Sequence, residues 1–292
     1  MRKGKIVIIL TVLICAFTFL GMTPNTAQAE ESTTSDDYFG MKWNFNEGTQ
    51  TLTITGIGEM HDYMGGEDGD ECPWWEWETQ TKKIIIGNGI THIGGMAFWK
   101  FSVETISIPE SVTSIGDATF YGCSNLESIV LPDKLKKIDS GAFGCTGLKK
   151  ITIPNSVETM GRWVFTDCEK ISSIILPKKL KSIPEGTFRN CVKLKSITIP
   201  NSVTKINANT FENSGIRSIT IPRKVTTLKN ELFLDCKYLK TITIKSSKIK
   251  NVSKDTFKGV SKKVEIKVPK KKLKTYKKMF YKAGLNCKVK IK

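Results

Sequence analysis

Two histidines, His61 and His92, are all that this 292-residue chain carries, and none of its cysteines stands in a CxxC pair. Both scarcities argue against a zinc site. They also leave no Ser-His-Asp or Cys-His set, and no pair of carboxylates stands out for acid-base work. Gly56-Ile57-Gly58 lacks the third glycine and the helix of a nucleotide fingerprint, so it reads as turn chemistry. Beyond the first twenty residues no apolar run approaches the ~20 residues needed to span a bilayer. No sorting signal for covalent wall attachment is visible near the C-terminus, and no nucleic-acid motif appears. The residues imply no metal, no cofactor, no specific nucleic acid and no catalysis.

What is present begins at the N-terminus. Arg2, Lys3 and Lys5 precede a 15-residue apolar run, Ile6 to Leu20, and Gly21, Pro24 and Ala27-Gln28-Ala29 follow. Charge, apolar stretch and small residues in that order predict a secretory signal peptide over 1–29, cleaved after Ala29. The remaining 263 residues suffice for one domain with a continuous core, secreted and with no transmembrane segment. Charge is lopsided. Residues 30–100 hold four Lys/Arg against thirteen Asp/Glu, whereas 217–292 hold 24 against four. Such polarity bears on partners and adhesion more than on fold.

The dominant feature is a repeat. Proline follows an Ile- or Leu-rich run at Pro109, Pro132, Pro154, Pro177, Pro200 and Pro222, at spacings of 22 or 23 residues. Gly87 and Lys245 occupy the same context before and after, making eight coils. Phe98, Phe120, Phe143, Phe165, Phe188, Phe211 and Phe233 each fall eleven residues after their marker, and Phe257 falls twelve after. A spacing that does not drift implies a fixed conformation from proline to phenylalanine. The one-residue variation lies after each Phe, which places a loop there. In one coil Ile129 and Leu131 alternate with Ser128 and Val130, the period of a half-buried strand. Pro132 then ends the pairing. The stretch from Gly116 to Phe120 predicts a short helical turn. A 22-residue coil cannot bury its own apolar face, but stacked coils cover one another.

Leu194-Lys195-Ser196-Ile197-Thr198-Ile199-Pro200-Asn201-Ser202-Val203 carries a specific resemblance. Its pattern, continued to a Phe and a Cys in most coils over residues 82–260, resembles the BspA-type leucine-rich repeat of bacterial surface and secreted proteins. The resemblance implies a leucine-rich-repeat solenoid with a parallel β-sheet, and an extracellular binder or adhesin without a shared catalytic residue. The ligand would be a protein or glycan at the cell surface. The expected organisation is a signal peptide (1–29), an N-terminal β cap (30–81), the solenoid (82–260) and a basic C-terminal cap (261–292). Alternation on both sides of a Gly-containing turn, Trp43 to Ile54, predicts a β-hairpin in the first cap. In the second, Val264, Ile266 and Val268 predict a strand, and Leu273, Tyr276, Phe280 and Ala283 predict an amphipathic helix closed by Gly284. Cys287, Val289 and Ile291 predict a terminal strand.

Four groups of residues are candidates for function. The outward strand positions Ser107, Val130, Thr152, Ile175, Thr198, Thr220 and Thr243 form a candidate partner face. Lys270, Lys271, Lys272, Lys274, Lys277 and Lys278 form a candidate contact for anionic wall or host polymers, against the plainer reading of a solvated helix face. Trp74, Trp75 and Trp77 either stack on a sugar or pack over the first coil, the second being expected. Glu67-Asp68-Gly69-Asp70-Glu71 offers carboxylates to calcium but lacks the full calcium-loop pattern, so a solvated loop is expected. Cys123, Cys145, Cys168, Cys191 and Cys236, two or three residues after the Phe, are expected to form a ladder of small buried thiols rather than disulfides.

Overall fold

A computed structural model describes residues 32–34, 38–63, 71–285 and 289–291. The expected signal peptide, the stretch 67–70 of the acidic run and Cys287 lie outside the described residues.

The eight coils stack through three hydrogen-bonded columns. The first contains the expected strands. Thr51–Gly56 pairs in parallel with Lys83–Ile86 of coil 1, and that strand pairs with Thr105–Ser107 of coil 2. Lys150–Thr152 pairs with Ser173–Ile175 in coils 4 and 5. Ser218–Ile221, Thr241–Ile244, Glu265–Val268 and Val289–Ile291 close the series. Alternation decides the faces: Ile151 and Ile153 are buried while Thr152 between them is exposed. Pairing lapses at coil 3, and coil 6 keeps a single bridge, Ser196 to Ser218.

A second column runs through short parallel strands such as Ser114–Ile115, Lys137–Ile138 and Thr159–Met160, with Ile115 and Ile138 buried. The third column passes through the phenylalanines, and here the expected helical turn is not formed. Residues two before and two after each Phe have positive φ in all eight coils, for instance Ala118 (φ 50) and Gly122 (φ 80) around Phe120. Alternating handedness turns the peptides so that every second N–H points to the following coil. Ala118, Phe120 and Gly122 thus donate to the carbonyls of Ser140, Ala142 and Gly144 at 2.8, 2.9 and 2.8 Å. A helical turn would spend these groups within its own coil. Left-handed backbone costs a residue such as Trp163 (φ 54) roughly 1–2 kcal/mol, offset by the intercoil bonds.

The core is a column of rings. From Phe98 to Phe257, neighbouring phenylalanines stack with centroids 5.5 to 6.2 Å apart and planes within 22°. Trp74 stacks on Phe98 at one end and Phe280 meets Phe257 edge-on at the other, so both ends are covered. Phe257 joins the column despite its twelve-residue spacing. The extra residue is taken up between Lys245 and Ile249, where Ser246 is buried. Tyr276 braces that turn, its hydroxyl accepting from the Ile249 N–H and donating to the Ser246 carbonyl.

The caps have the expected elements. Met41–Asn46 and Thr51–Gly56 form the antiparallel hairpin. Leu273–Lys282 is an α-helix that buries Tyr276 and Phe280, and Gly284 follows it at φ +88.

Candidate functional site

The outward row stands in register along the strand face. Ser107, Val130, Thr152, Ile175 and Thr198 are exposed, and Thr220 and Thr243 are half-exposed. Every one alternates with inward apolar positions, so none serves the core. Val130 (83% exposed) and Ile175 (58%) put branched apolar side chains into solvent, a burden no packing requirement imposes. Where strand pairing lapses, the face opens into grooves. One of about 810 Å³ crosses coils 5 to 8 and is lined by Ser173, Ile175, Ser196, Thr198, Thr220 and Lys245. Another of about 530 Å³ lies between Ser128-Val130 and Lys150-Thr152.

The lysine group sits on the C-terminal cap. Lys270, Lys271, Lys274, Lys277 and Lys278 are exposed and Lys272 is half-exposed, while Tyr276 and Phe280 hold the helix to the solenoid. Lys277 reaches over the Tyr281 ring at 5.9 Å. Lys270–Lys272 form a 3-10 turn running straight into the helix, whose first turn has no acidic residue. Cations at a helix N-terminus oppose the macrodipole and cost stability. The structure thus brings the strand row together on one face, and the lysines together at one end.

A family model for the BspA type leucine rich repeat region matches in six copies, over residues 76–172 and 164–286. The chain belongs to the BspA-type leucine-rich-repeat family. A solved structure from Bacteroides ovatus agrees on the fold, and two further structures are similar over most of the chain. A leucine-rich repeat protein from Bacteroides ovatus is 24% identical over 92% of this chain and 77% of its own, with a TM-score of 0.59. One from Eubacterium ventriosum is 21% identical over 82% and 78%, with a TM-score of 0.49. A leucine rich cell surface protein from Faecalibacterium prausnitzii is 20% identical over 89% and 95%, with a TM-score of 0.41. A comparison with curated proteins finds no match.

In this BspA-type chain the tryptophans are structural. Trp74 is fully buried, and its indole N–H donates to the Ala97 carbonyl at 2.9 Å. In later coils that carbonyl position accepts from the preceding Phe N–H, so Trp74 satisfies the first open acceptor of the column. Trp75 donates to the Met96 carbonyl and Trp77 stacks on Phe45 at 5.4 Å, so all three are engaged in packing over the first coil. A second tie links this cap to coil 1. Asp62 accepts from the Gly95 N–H and from the His92 ring, whose other nitrogen contacts Ser114. Burial pushes the Asp62 carboxyl up, but the His92 and Gly95 bonds and the charges of His92 and His61 hold it below 3.8.

The repeat thiols need one correction. Cys123, Cys168, Cys191 and Cys236, three residues after their Phe, are buried free thiols. Each donates to the Phe carbonyl of the coil before, at 2.8 to 3.2 Å. Burial pushes Cys168 and Cys236 up to about 12. Cys145 is displaced from this ladder: it is half-buried at a left-handed position (φ 55), and Thr146 fills the slot. In Thr146-Gly147-Leu148 and Ser214-Gly215-Ile216 the loop is one residue shorter, so it runs against the preceding coil. A Cβ on Gly147 would lie 2.2 Å from the Ser124 carbonyl oxygen. Reading the sequence by region also passed over one surface column, the residue two before each first inward Ile. It becomes uniformly basic at Lys195, Arg217 and Lys240, and only alignment of the coils exposes it.

Proposed function

We propose that this chain is an exported, non-catalytic binding module that uses the strand face of its repeats to engage a protein or glycan partner at a cell surface. The observation that carries the reading is the outward row itself. Seven side chains from Ser107 to Thr243 stand in register outside the core, and five of them, Val130, Thr152, Ile175, Thr198 and Thr220, line two grooves. Membership of the BspA-type family supports an interaction role. A substitution that fills the face tests it. Thr198→Trp puts an indole into the larger groove and should abolish capture of purified envelope or host-surface material while leaving the fold intact. Unchanged capture refutes the reading.

A second reading has its own observation. Lys270, Lys271, Lys272 and Lys274 crowd a helix N-terminus where stability disfavours them, and Lys277 and Lys278 extend the patch along the helix, so the six are suited to holding the protein electrostatically on an anionic envelope. Such attachment is screened over ~8 Å at physiological salt and must weaken as salt rises. Changing all six to Gln should abolish co-sedimentation with envelope at low salt without lowering the thermal midpoint. Equal pelleting of both proteins, insensitive to salt, refutes it.

A further inference from the structure

We propose that the strand face of coils 5 to 8 receives an acidic polysaccharide, a chain of carboxylated sugars lying along the stacking axis across the strands. The proposal rests on the reading of the strand face as the binding surface and names its ligand class.

The argument starts from one column read coil by coil. Two residues before the first inward Ile, coils 1 to 4 carry Lys82, Glu104, Glu127 and Lys149. These neutralise one another: Lys82 lies 3.6 Å from Glu104, and Lys149 lies 2.5 Å from Glu127. Coil 5 has Ser172, and from coil 6 the column is Lys195, Arg217 and Lys240. All three are exposed, and none makes an ion pair among the described residues. The strand segments 172–178, 195–201, 217–223 and 240–245 contain no Asp or Glu. Lys178 and Lys245 stand beyond the strands on the far side and line the 810 Å³ groove. Glu185 and Glu212 of these coils lie in the phenylalanine turns, where Arg162 and Arg189 meet them at 3.9 and 3.2 Å. Glu265, in register with Thr241, ends the basic stretch.

Like charges opposite one another on neighbouring strands repel. The same backbone position accepts Glu in coils 2 and 3, so the fold does not require three cations in a row. A counter-charge supplied from outside relieves the repulsion, and its spacing is set by the coils at ~4.8 Å each. Each coil rises by ~4.8 Å, on the scale of one sugar residue, so a polymer with a carboxylate on every sugar can set its carboxylates against successive cations. The hydroxyl rows beside the cations, Ser196, Ser218 and Thr241 with Thr198, Thr220 and Thr243, supply donors and acceptors for sugar hydroxyls. An acidic protein is the less suitable occupant. Protein interfaces depend on aromatic and other anchors seated in apolar pockets, whereas the outward row of coils 6 to 8 is threonine throughout.

The test measures binding of the purified protein to immobilised polygalacturonate, dextran and poly-L-glutamate across a salt series. Binding to polygalacturonate that weakens with salt, with none to dextran, is expected. K195Q/R217Q/K240Q should reduce that affinity at least tenfold with an unchanged circular dichroism spectrum, and the six-Gln variant of the C-terminal helix should retain it. Three outcomes overturn the proposal: wild-type binding by the triple variant, equal affinity for poly-L-glutamate, or loss of binding in the six-Gln variant alone. Thr198→Trp separates the two ideas. If it abolishes envelope capture while the triple variant still binds polygalacturonate normally, the face binds something else and only the glycan assignment falls. If envelope capture survives Thr198→Trp, the reading of the face falls with it.

Discussion

Replacing Phe165 by alanine removes a ring from the middle of the column. The side chain is fully buried and stacks on Phe143 at 5.7 Å and on Phe188 at 6.2 Å, with planes within 9°. Truncating a buried Phe to Ala typically costs ~3–5 kcal/mol, and the lost stacks, ~0.5–1.5 kcal/mol each, push this site toward the upper end. A loss of about 5 kcal/mol is a large part of the 5–15 kcal/mol that holds a typical protein folded. At a urea dependence of ~3 kcal/mol per molar the midpoint should fall by roughly 1.5 M. Thr152→Ala, on the outward row, should cost less than ~0.5 kcal/mol. Two probes sharpen the assay, because all six tryptophans lie at or before Trp163. Fluorescence therefore follows the N-terminal half, while circular dichroism follows the whole. Coils are stabilised by their nearest neighbours, so Phe165→Ala should also separate the two transitions. Midpoints for Phe165→Ala and Thr152→Ala that agree within ~0.3 M would refute the assignment of faces.

Thiol labelling of the native protein followed by mass spectrometry should modify Cys145 first and leave Cys123, Cys168, Cys191 and Cys236 protected until denaturation, because burial both hides those thiols and keeps them protonated. A Cys123–Cys145 or Cys168–Cys191 disulfide in that experiment would overturn the thiol ladder. Gly147→Ala forces a methyl against the Ser124 carbonyl and should cost ~1–3 kcal/mol by urea denaturation; an unchanged midpoint would show that the short loop is not in contact with the preceding coil. Asp62→Asn tests the tie between cap and coil 1 through pH. The folded carboxyl is held below its ordinary 3.8, so its contribution is present above that value and is lost as pH falls through the lower folded value. The variant should be less stable than wild type near neutrality by about 1 kcal/mol, and the gap should close in acid. A gap independent of pH would show that the carboxylate charge is not what matters.

Much of this architecture is legible in the period. A Phe that returns eleven residues after its marker in seven coils can only stack on its counterparts, and the alternation around Thr152 or Thr198 fixes which side faces water. The phenylalanine turns were not legible. Left-handed backbone is announced by Gly, Asn or Asp, and some coils do place Gly141, Gly186 or Asn209 there. Others place Met96, Ala118, Trp163 or Glu231 at the same point, held by bonds to the next coil that no local pattern encodes. Cys145 was misplaced for a related reason. Counting from Phe143 with one residue of tolerance groups it with the buried thiols, whereas the slot lies three residues after the Phe in every coil and here falls on Thr146. The part played by Trp74 was hidden because its acceptor, Ala97, lies 23 residues away in sequence.

A repeat protein supplies its own internal control for separating fold from function. The position two before the first inward Ile holds Lys, Glu, Glu, Lys, Ser, Lys, Arg and Lys in the eight coils. The Ile that follows is buried in five of them and half-buried in coils 2, 3 and 6, behind Glu104, Glu127 and Lys195, so a basic residue stands over buried and half-buried Ile alike. A basic residue at this column is therefore not dictated by the packing beneath it. That has a consequence for experiment: Lys195, Arg217 and Lys240 can be neutralised in place without touching the Phe column or the buried thiols. It also has a consequence for interpretation. A position whose charge the fold tolerates in either sign, yet which is basic in each of coils 6 to 8, fits a demand from outside the protein, as the proposed acidic polysaccharide would make, better than one from beneath the strand.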